Sequence, residues 1–371
     1  MSEKKTTKIG FVGCGAISGI YLENLTNRFG ELEIIGVCDL IRERAENAVE
    51  KYHIPKLYND MHELFADPEV DIVLNITRPY EHFEVSKAAL LAGKPVYSEK
   101  PLGATLEEGD ELVRLAEEKG LWIGGAPDTF LGAGIQTCRK LIDDGYIGTP
   151  VGASAFMVCR GHESWHPDPA FYYQFGGGPM MDMGPYYISA MTSLLGRVEC
   201  LSGMSKATFP TRTITSQPHH GEVVDVEVST YVTGMMRFES GAIGTIFTTF
   251  DAYAAEVPRI EIYGSEGTLS VPDPNGFGGP VKLFRPESGQ FMEMPLTFDY
   301  PENSRGLGLA DMAKAIETGR DPRASYKVTH HVLEILTGFD RSSAEGRHIE
   351  LKTPYERPEP MHHGLMHGIL D

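Results

Sequence analysis

With 371 residues, 41% of them hydrophobic and 23% charged, the chain carries enough apolar material for two domains with separate cores. A net charge of -19 makes it a poor partner for nucleic acid or for an anionic membrane surface. No apolar run reaches the roughly 18 residues that a membrane-spanning helix needs. The first residues, Met1 to Lys5, lead into a strand without an apolar signal region. Five scattered cysteines (Cys14, Cys38, Cys138, Cys159 and Cys200) form no Cys-x-x-Cys pair, so the expectation is reduced thiols in the cytoplasm.

The β-run Lys8–Val12 passes directly into Gly13-Cys14-Gly15-Ala16-Ile17-Ser18 and then a helical pattern from Ile17 to about Phe29. A second strand, Leu32–Cys38, ends in Asp39. This order predicts a dinucleotide site. Gly13 permits the tight turn, Gly15 lets the backbone approach a pyrophosphate, and the helix start at Ala16 and Ile17 offers N–H groups and a positive dipole end. Asp39 accepts hydrogen bonds from ribose hydroxyls and repels a 2′-phosphate, which favours NAD over NADP. Ser18 stands where a third glycine is usual and is small enough for close helix–strand packing.

Further on, helices are expected at Arg42–Tyr52 and near Met61–Ala66, with a buried parallel strand at Ile72–Ile76. Thr77 to His82 then cap a helix that runs to Ala92. The strand Val96-Tyr97-Ser98 stops at the corner Glu99-Lys100-Pro101. A lysine at a strand exit lies where open α/β sheets bind ligands, and Pro101 restricts the backbone that carries it. A cis Lys100–Pro101 bond is part of that expectation. An amphipathic helix, Leu106–Lys119, and a strand, Leu121–Gly124, complete a doubly wound parallel sheet.

After about Pro127 the pattern changes. One helix, Ile135–Asp144, is followed by β-runs at Val151–Arg160, Cys200–Phe209, Val224–Phe238, Ala242–Ala252, Arg259–Tyr263 and Val281–Phe284. Glu239-Ser240-Gly241 and Ser265-Glu266-Gly267 read as hairpin turns. The second domain is therefore an α/β unit with a large open, mostly antiparallel sheet, one face of which is free to meet another subunit. Helices at Leu307–Thr318 and Tyr326–Ser343 can pack back onto the first domain. The division expected is an NAD-binding Rossmann domain at 1–127 and a substrate and oligomerisation domain at 128–371.

These residues resemble the glucose–fructose oxidoreductase / inositol dehydrogenase / rhizopine-catabolism (Gfo/Idh/MocA) family. The resemblance rests on Gly13-Cys14-Gly15, Asp39, Asn75 through His82, Glu99-Lys100-Pro101, Gly176 through Gly184, and Ile262 through Gly267. It implies NAD(P)-linked oxidation or reduction of a sugar or cyclitol carbon, in a homodimer or homotetramer built on the second sheet. It places Lys100 between nicotinamide and substrate and Asp182 at the substrate hydroxyls. Gly13, Gly15, Ala16, Ile17, Asp39, Thr77, Arg78, His82, Glu99 and Lys100 form the implied cofactor set. The histidine usual four residues after the aspartate is Tyr186 here, and Asp128-Thr129-Phe130 stands where an Arg-Phe or Arg-Tyr pair is common.

The chemistry is coherent on the residues alone. A glycine run at 176–178 admits a close ligand, and Asp182 and Tyr186, i and i+4, share one face of an expected helix. The carboxylate orients a hydroxyl, and an amine or phenol takes its proton as hydride leaves. Oxidised nicotinamide beside Lys100 is expected to depress its pKa. His162-Glu163-Ser164-Trp165-His166 matches a zinc-protease pattern, but Gly161 and Pro167-Asp168-Pro169 make it a loop rather than a helix. It reads as a substrate loop, with Trp165 against a sugar face and His162 and His166 at hydroxyls, and no metal is assigned. The histidine pairs His219-His220, His330-His331 and His362-His363, with His367, read as surface or structural. Two other functions remain open: an NAD-recycling enzyme that cleaves glycosides without net redox change, and a non-catalytic dinucleotide-binding regulator.

Overall fold

The computed structural model describes residues 6–364 and residue 370. The first half builds one parallel sheet. Its strands are β1 (Thr7–Val12), β2 (Leu32–Cys38), β3 (Lys56–Leu57), β4 (Ile72–Asn75), β5 (Val96–Ser98) and β6 (Ile123–Gly125). They lie in the order β3-β2-β1-β4-β5-β6. The connecting helices are α1 (Ser18–Asn27), α2 (Arg42–Tyr52), α3 (Met61–Ala66), α4 (His82–Leu91) and α5 (Leu106–Lys119). Strands β1, β4 and β5 are buried throughout or nearly so, because helices cover both faces. Asp60 and Thr105 cap α3 and α5 with side-chain oxygens that accept amide N–H bonds, each cap worth about 1 kcal/mol. The strand order reverses between β1 and β4, so the carboxyl ends of β1, β2, β4 and β5 open one crevice.

The second half begins with α6 (Ala133–Asp143) and β7 (Pro150–Val158), then α7 (Pro179–Asp182) and α8 (Gly184–Leu195). Strands β8 (Val198–Lys206), β9 (Thr211–Thr213), β10 (Val223–Asp225), β11 (Tyr231–Phe238), β12 (Ile243–Thr249), β13 (Ile260–Gly264), β14 (Thr268–Val271), β15 (Val281–Phe284) and β16 (Phe291–Met294) follow. Helices α9 (Leu307–Thr318) and α10 (Tyr326–Glu345) and the short β17 (Ile349–Glu350) close the order. Nine strands form one sheet, β16-β15-β14-β13-β7-β12-β11-β8-β17, antiparallel except for the β7–β12 pair. Strands β9 and β10 pair apart as a small hairpin. The expected strand Val224–Phe238 is thus two strands with a break at Val226–Thr230, where Asp251 accepts from the Thr230 hydroxyl and turns the chain. Residues 268–271, 291–294 and 349–350 also pair into the sheet without having been expected to.

The last two helices return to the first sheet. The amide of Gly125 donates to the Ala324 carbonyl, and a side-chain carbon at Gly109 on α5 would collide with Leu333 of α10. Leu333 and Phe339 are fully buried, each contributing on the order of 2 kcal/mol through lost apolar exposure. The two sheets are therefore bridged, and the crevice has a fixed second wall. Among the described residues no helix is long and apolar enough to cross a membrane.

Candidate active site

The turn after β1 is shaped for close approach. Gly13 has φ +96, and a Cβ there would lie 2.6 Å from the Ile76 carbonyl oxygen. Any L side chain would be strained and obstructed. At Gly15 the same test meets nothing within 4 Å, leaving open space in front of the turn. The Ser18 hydroxyl donates to the Gly15 carbonyl, at 2.7 Å, and is itself buried, so it closes the turn as well as packing the helix. Ala16 and Ile17 lead into α1. Asp39 is fixed at the end of β2, where its carboxylate accepts from the amides of Cys14 (2.6 Å) and Ile41 (2.7 Å).

The corner after β5 is held from behind. Glu99 is buried and accepts from the Tyr21 hydroxyl at 2.7 Å and from the Lys100 amide at 3.0 Å. His82 is 1% exposed, with Nδ1 2.8 Å from the Pro101 carbonyl and Nε2 3.1 Å from the Thr77 carbonyl. A neutral imidazole carries one N–H and donates to one of these two carbonyls, so the buried ring supports the corner from behind. Thr77 hydrogen-bonds Asn75, and Arg78 pairs with Asp168 of the second domain at 2.6 Å. The Lys100–Pro101 bond is cis, as expected.

Lys100 crosses to the second domain. Its Nζ donates to the Asp182 carbonyl at 2.6 Å and to Asp182 Oδ1 at 2.8 Å. The other carboxylate oxygen lies 3.0 Å from His162 Nε2. The Tyr186 ring is 5.3 Å from Nζ. Asp182 and Tyr186 do not share one helix: α7 ends at Asp182, and α8 restarts at Gly184 after a break at Met183. The break still delivers both residues to the lysine. The glycine run packs against the chain itself. A Cβ at Gly177 would lie 2.5 Å from the Phe171 carbonyl oxygen, and at Gly178 2.8 Å from that of Ser229. At these two glycines the chain's own backbone approaches closely, whereas a Cβ at Gly176 would meet nothing nearer than Ala104 Cβ at 3.4 Å.

Charge in this cluster is strongly coupled. Burial works against the Lys100 ammonium, but Asp182, Tyr186 and Glu99 outweigh it and raise its pKa above the ordinary lysine value. The expected depression rested on a positive nicotinamide ring; the chain's own groups push in the opposite direction. For Asp182, burial penalises the carboxylate, yet Lys100 and His162 hold its pKa below the usual carboxylate range. Burial raises the Tyr186 phenol, with Lys100 and Arg305 pulling against it.

The loop at residues 162–166 is held by bonds to several neighbouring elements. Among residues 162–166, Glu163 takes bonds from Tyr173 and Arg212 while His162 turns to Asp182, so these side chains do not converge on a common point. His166 Nδ1 accepts from the Asp168 amide at 3.0 Å, and Trp165 is 62% exposed beside both histidine rings. Of the other histidine pairs, His219 pairs with Glu222, His330 with Asp110 and His331 with Thr353, and His363 lies against the Phe298 ring. His367 lies outside the described residues.

Two residues, Tyr172 and Arg305, join the site without a local sequence signal, and Asp128 joins it from a triplet the sequence had marked. Tyr172 stacks on His162 at 4.1 Å. Arg305, 8% exposed, lies 6.0 Å from the Tyr186 ring and is fixed by Asn303 and Asn275. Asp128, from the unusual Asp-Thr-Phe triplet, is buried and accepts the amides of Gly306 and Gly308 at the start of α9. Burial pushes its carboxyl up to about 6, against those two bonds and Arg305. Asp128 therefore anchors the segment that carries Arg305.

A dinucleotide crevice facing a lysine–carboxylate pair defines an NAD-linked oxidoreductase. Two family models match the chain: "Oxidoreductase family, NAD-binding Rossmann fold" over residues 7–124 and "GFO/IDH/MocA C-terminal domain" over residues 135–270. The chain belongs to the Gfo/Idh/MocA oxidoreductase family. It is 26% identical to the myo-inositol 2-dehydrogenase of Thermotoga maritima over 262 residues, 71% of this chain and 74% of that protein. It is 35% identical to an inositol 2-dehydrogenase of Salmonella typhimurium over 153 residues, 39% of this chain and 44% of the relative, so that match spans less than half of that enzyme. Among solved structures, an NAD-binding oxidoreductase from Klebsiella pneumoniae superposes with a TM-score of 0.81 at 21% identity, covering 94% of this chain and 99% of the other.

Proposed function

We propose that the protein oxidises a hydroxyl-bearing carbon of a cyclitol, sugar or glycoside, with NAD as hydride acceptor. The observation that carries this reading is Lys100, held by Asp182 across the crevice at the carboxyl ends of the first sheet. NAD, when bound, takes the hydride from the carbon. Lys100 takes the hydroxyl proton, Asp182 and the loop residues Trp165 and His166 orient the hydroxyls while His162 bonds Asp182 from behind, and Tyr186 shares the proton with Lys100. Gly13, Gly15, Ala16 and Ile17 hold the pyrophosphate at the start of α1, Asp39 the ribose, and Thr77 and Arg78 the nicotinamide end. Glu99 and His82 act behind Lys100. Screening cyclitols, sugars and glycosides for NADH formation tests the reading; no NADH with any of them would refute it.

Asp39 sets the cofactor choice in this account. Wild type is expected to prefer NAD, and Asp39→Ser to narrow the preference by removing the charge that repels a 2′-phosphate. Comparing kcat/KM for NAD and NADP measures this, and a wild type that favours NADP would sink it.

The cytoplasmic, homo-oligomeric state is part of the same reading. All five cysteines are free, which suits a reducing compartment. Register places Met204, Met235, Ile243, Tyr263 and Phe291 on one side of the nine-stranded sheet, and each is at least a third exposed. An apolar sheet face of this kind suits a second copy of the chain. Light scattering after size exclusion should show a dimer or tetramer, and a double change, Met235→Glu with Ile243→Glu, should shift it towards monomer. A wild-type monomer at micromolar concentration would contradict the assignment.

A further inference from the structure

Asp182 has two oxygens and two partners. Lys100 occupies Oδ1 at 2.8 Å and His162 Nε2 meets Oδ2 at 3.0 Å. The His162 Nδ1 atom is buried with no hydrogen-bond partner, enclosed by the rings of Trp165, Tyr172 and Phe250 at 5.2, 4.1 and 4.8 Å. A proton on Nδ1 would be stranded among those rings, so the neutral imidazole carries its proton on Nε2 and donates it to Asp182. The ring has little freedom to turn away. Its loop is pinned where the Glu163 carbonyl accepts the amides of Thr215 (2.8 Å) and Ser216 (3.0 Å), and the Tyr173 hydroxyl accepts the His162 amide at 3.4 Å.

We propose that His162 is a positioning residue for the reaction: by donating to the far oxygen of Asp182 it withdraws negative charge from Lys100 and so lets the ammonium release its proton and serve as base. The inference rests on the proposed dehydrogenase reading and deepens it. The lysine must start the turnover neutral. The substrate O–H bond then breaks as an N–H bond forms on Lys100, the carbon's C–H pair leaves as hydride to NAD, and the carbonyl forms. An Asp182 carboxylate bonded to Lys100 alone would hold the ammonium more tightly and lower the neutral fraction. Lys100 keeps its place in either case, because the Asp182 carbonyl accepts from the same Nζ at 2.6 Å.

Other charges around the pair are fixed in the comparison. Lys100 is faced by Asp182 and Tyr186 from the second domain, by Glu99 from its own corner, by His82 behind and by Tyr172 across the crevice. His162 is faced by Asp182, Tyr172 and His166, with Glu163 next to it turned to Arg212. Arg305 acts on Tyr186 from the far side. None of these is altered by a change at position 162.

Two variants test the proposal. His162→Phe keeps a flat ring in the aromatic enclosure and removes the donor, whereas His162→Gln retains an N–H near the Nε2 position. The first readout needs neither substrate nor NAD: reductive methylation of Lys100 by formaldehyde with an added borohydride-type reductant, quantified by peptide mass spectrometry across pH, reports the neutral amine. His162→Phe should slow labelling by about tenfold at a given pH, a shift of about one pH unit, with His162→Gln close to wild type. The second readout is the pH profile of kcat/KM, whose acidic limb should move up by the same amount. Unchanged labelling and an unmoved limb in His162→Phe, with only KM raised, would overturn the proposal and leave His162 merely holding the Asp182 carboxylate in place. Thermal melts that match wild type exclude misfolding as the cause. If no substrate is turned over but labelling shifts as expected, the dehydrogenase reading has failed and the charge-sharing has not.

Discussion

Lys100→Ala is expected to lower kcat by roughly a hundredfold or more while NAD still binds. The amine sits at the end of β5, and two of its three N–H bonds go to Asp182. That leaves one direction open for a substrate oxygen. Alanine removes that amine and frees a buried carboxylate of its cation, so proton transfer and substrate orientation are expected to fail together. The dinucleotide turn at Gly13–Ser18 and the Asp39 carboxylate belong to other strands and touch neither group. NADH fluorescence titration and steady-state rates separate the two effects. Near-normal kcat in the variant would remove Lys100 from the chemistry.

Tyr186→Phe should reduce kcat by about tenfold or more, and by more than it raises KM. The ring is buried in the first turn of α8 and stays in place in the variant, so only the hydroxyl is lost. Two cations, Lys100 at 5.3 Å and Arg305 at 6.0 Å, face that ring. Burial alone would make the phenol a very weak acid, and the cations offset part of the cost of its anion. The proposed relay shares a proton between Lys100 and Tyr186 without free phenolate. Tyr186→His should recover part of the loss. Wild-type kcat and an unaltered pH profile in Tyr186→Phe would reduce Tyr186 to packing.

The first sheet was legible because its signals are local. Gly13, Asp39 and the Glu99-Lys100-Pro101 corner each follow a strand at once, and the period of apolar residues changes cleanly between strand and helix. The second sheet was legible only in outline. Strands such as Thr268–Val271 and Phe291–Met294 are too short to show a period, and the break between β10 and β11 depends on Asp251, far along the chain. At the site, Lys100 and Asp182 were readable from motifs, but their partners were not. Arg305 arrives on a segment held by Asp128, and Tyr21 meets Glu99 across 78 residues. His162 was readable as a loop residue, while its bond to Asp182 is a fact of tertiary placement. His82 was readable as a motif residue, while its contacts with the Pro101 and Thr77 carbonyls are again a matter of tertiary placement.

The most direct test of the central claim is the stoichiometry of wild-type turnover on the best compound of a cyclitol, sugar and glycoside panel. NADH is followed by absorbance and the carbonyl product by mass spectrometry in the same reaction. Net oxidation at a hydroxyl-bearing carbon predicts one NADH per ketone formed, with the rate lost in Lys100→Ala. Cleavage of a glycoside with no accumulated NADH, or tight NAD binding with no turnover of any compound, would contradict it.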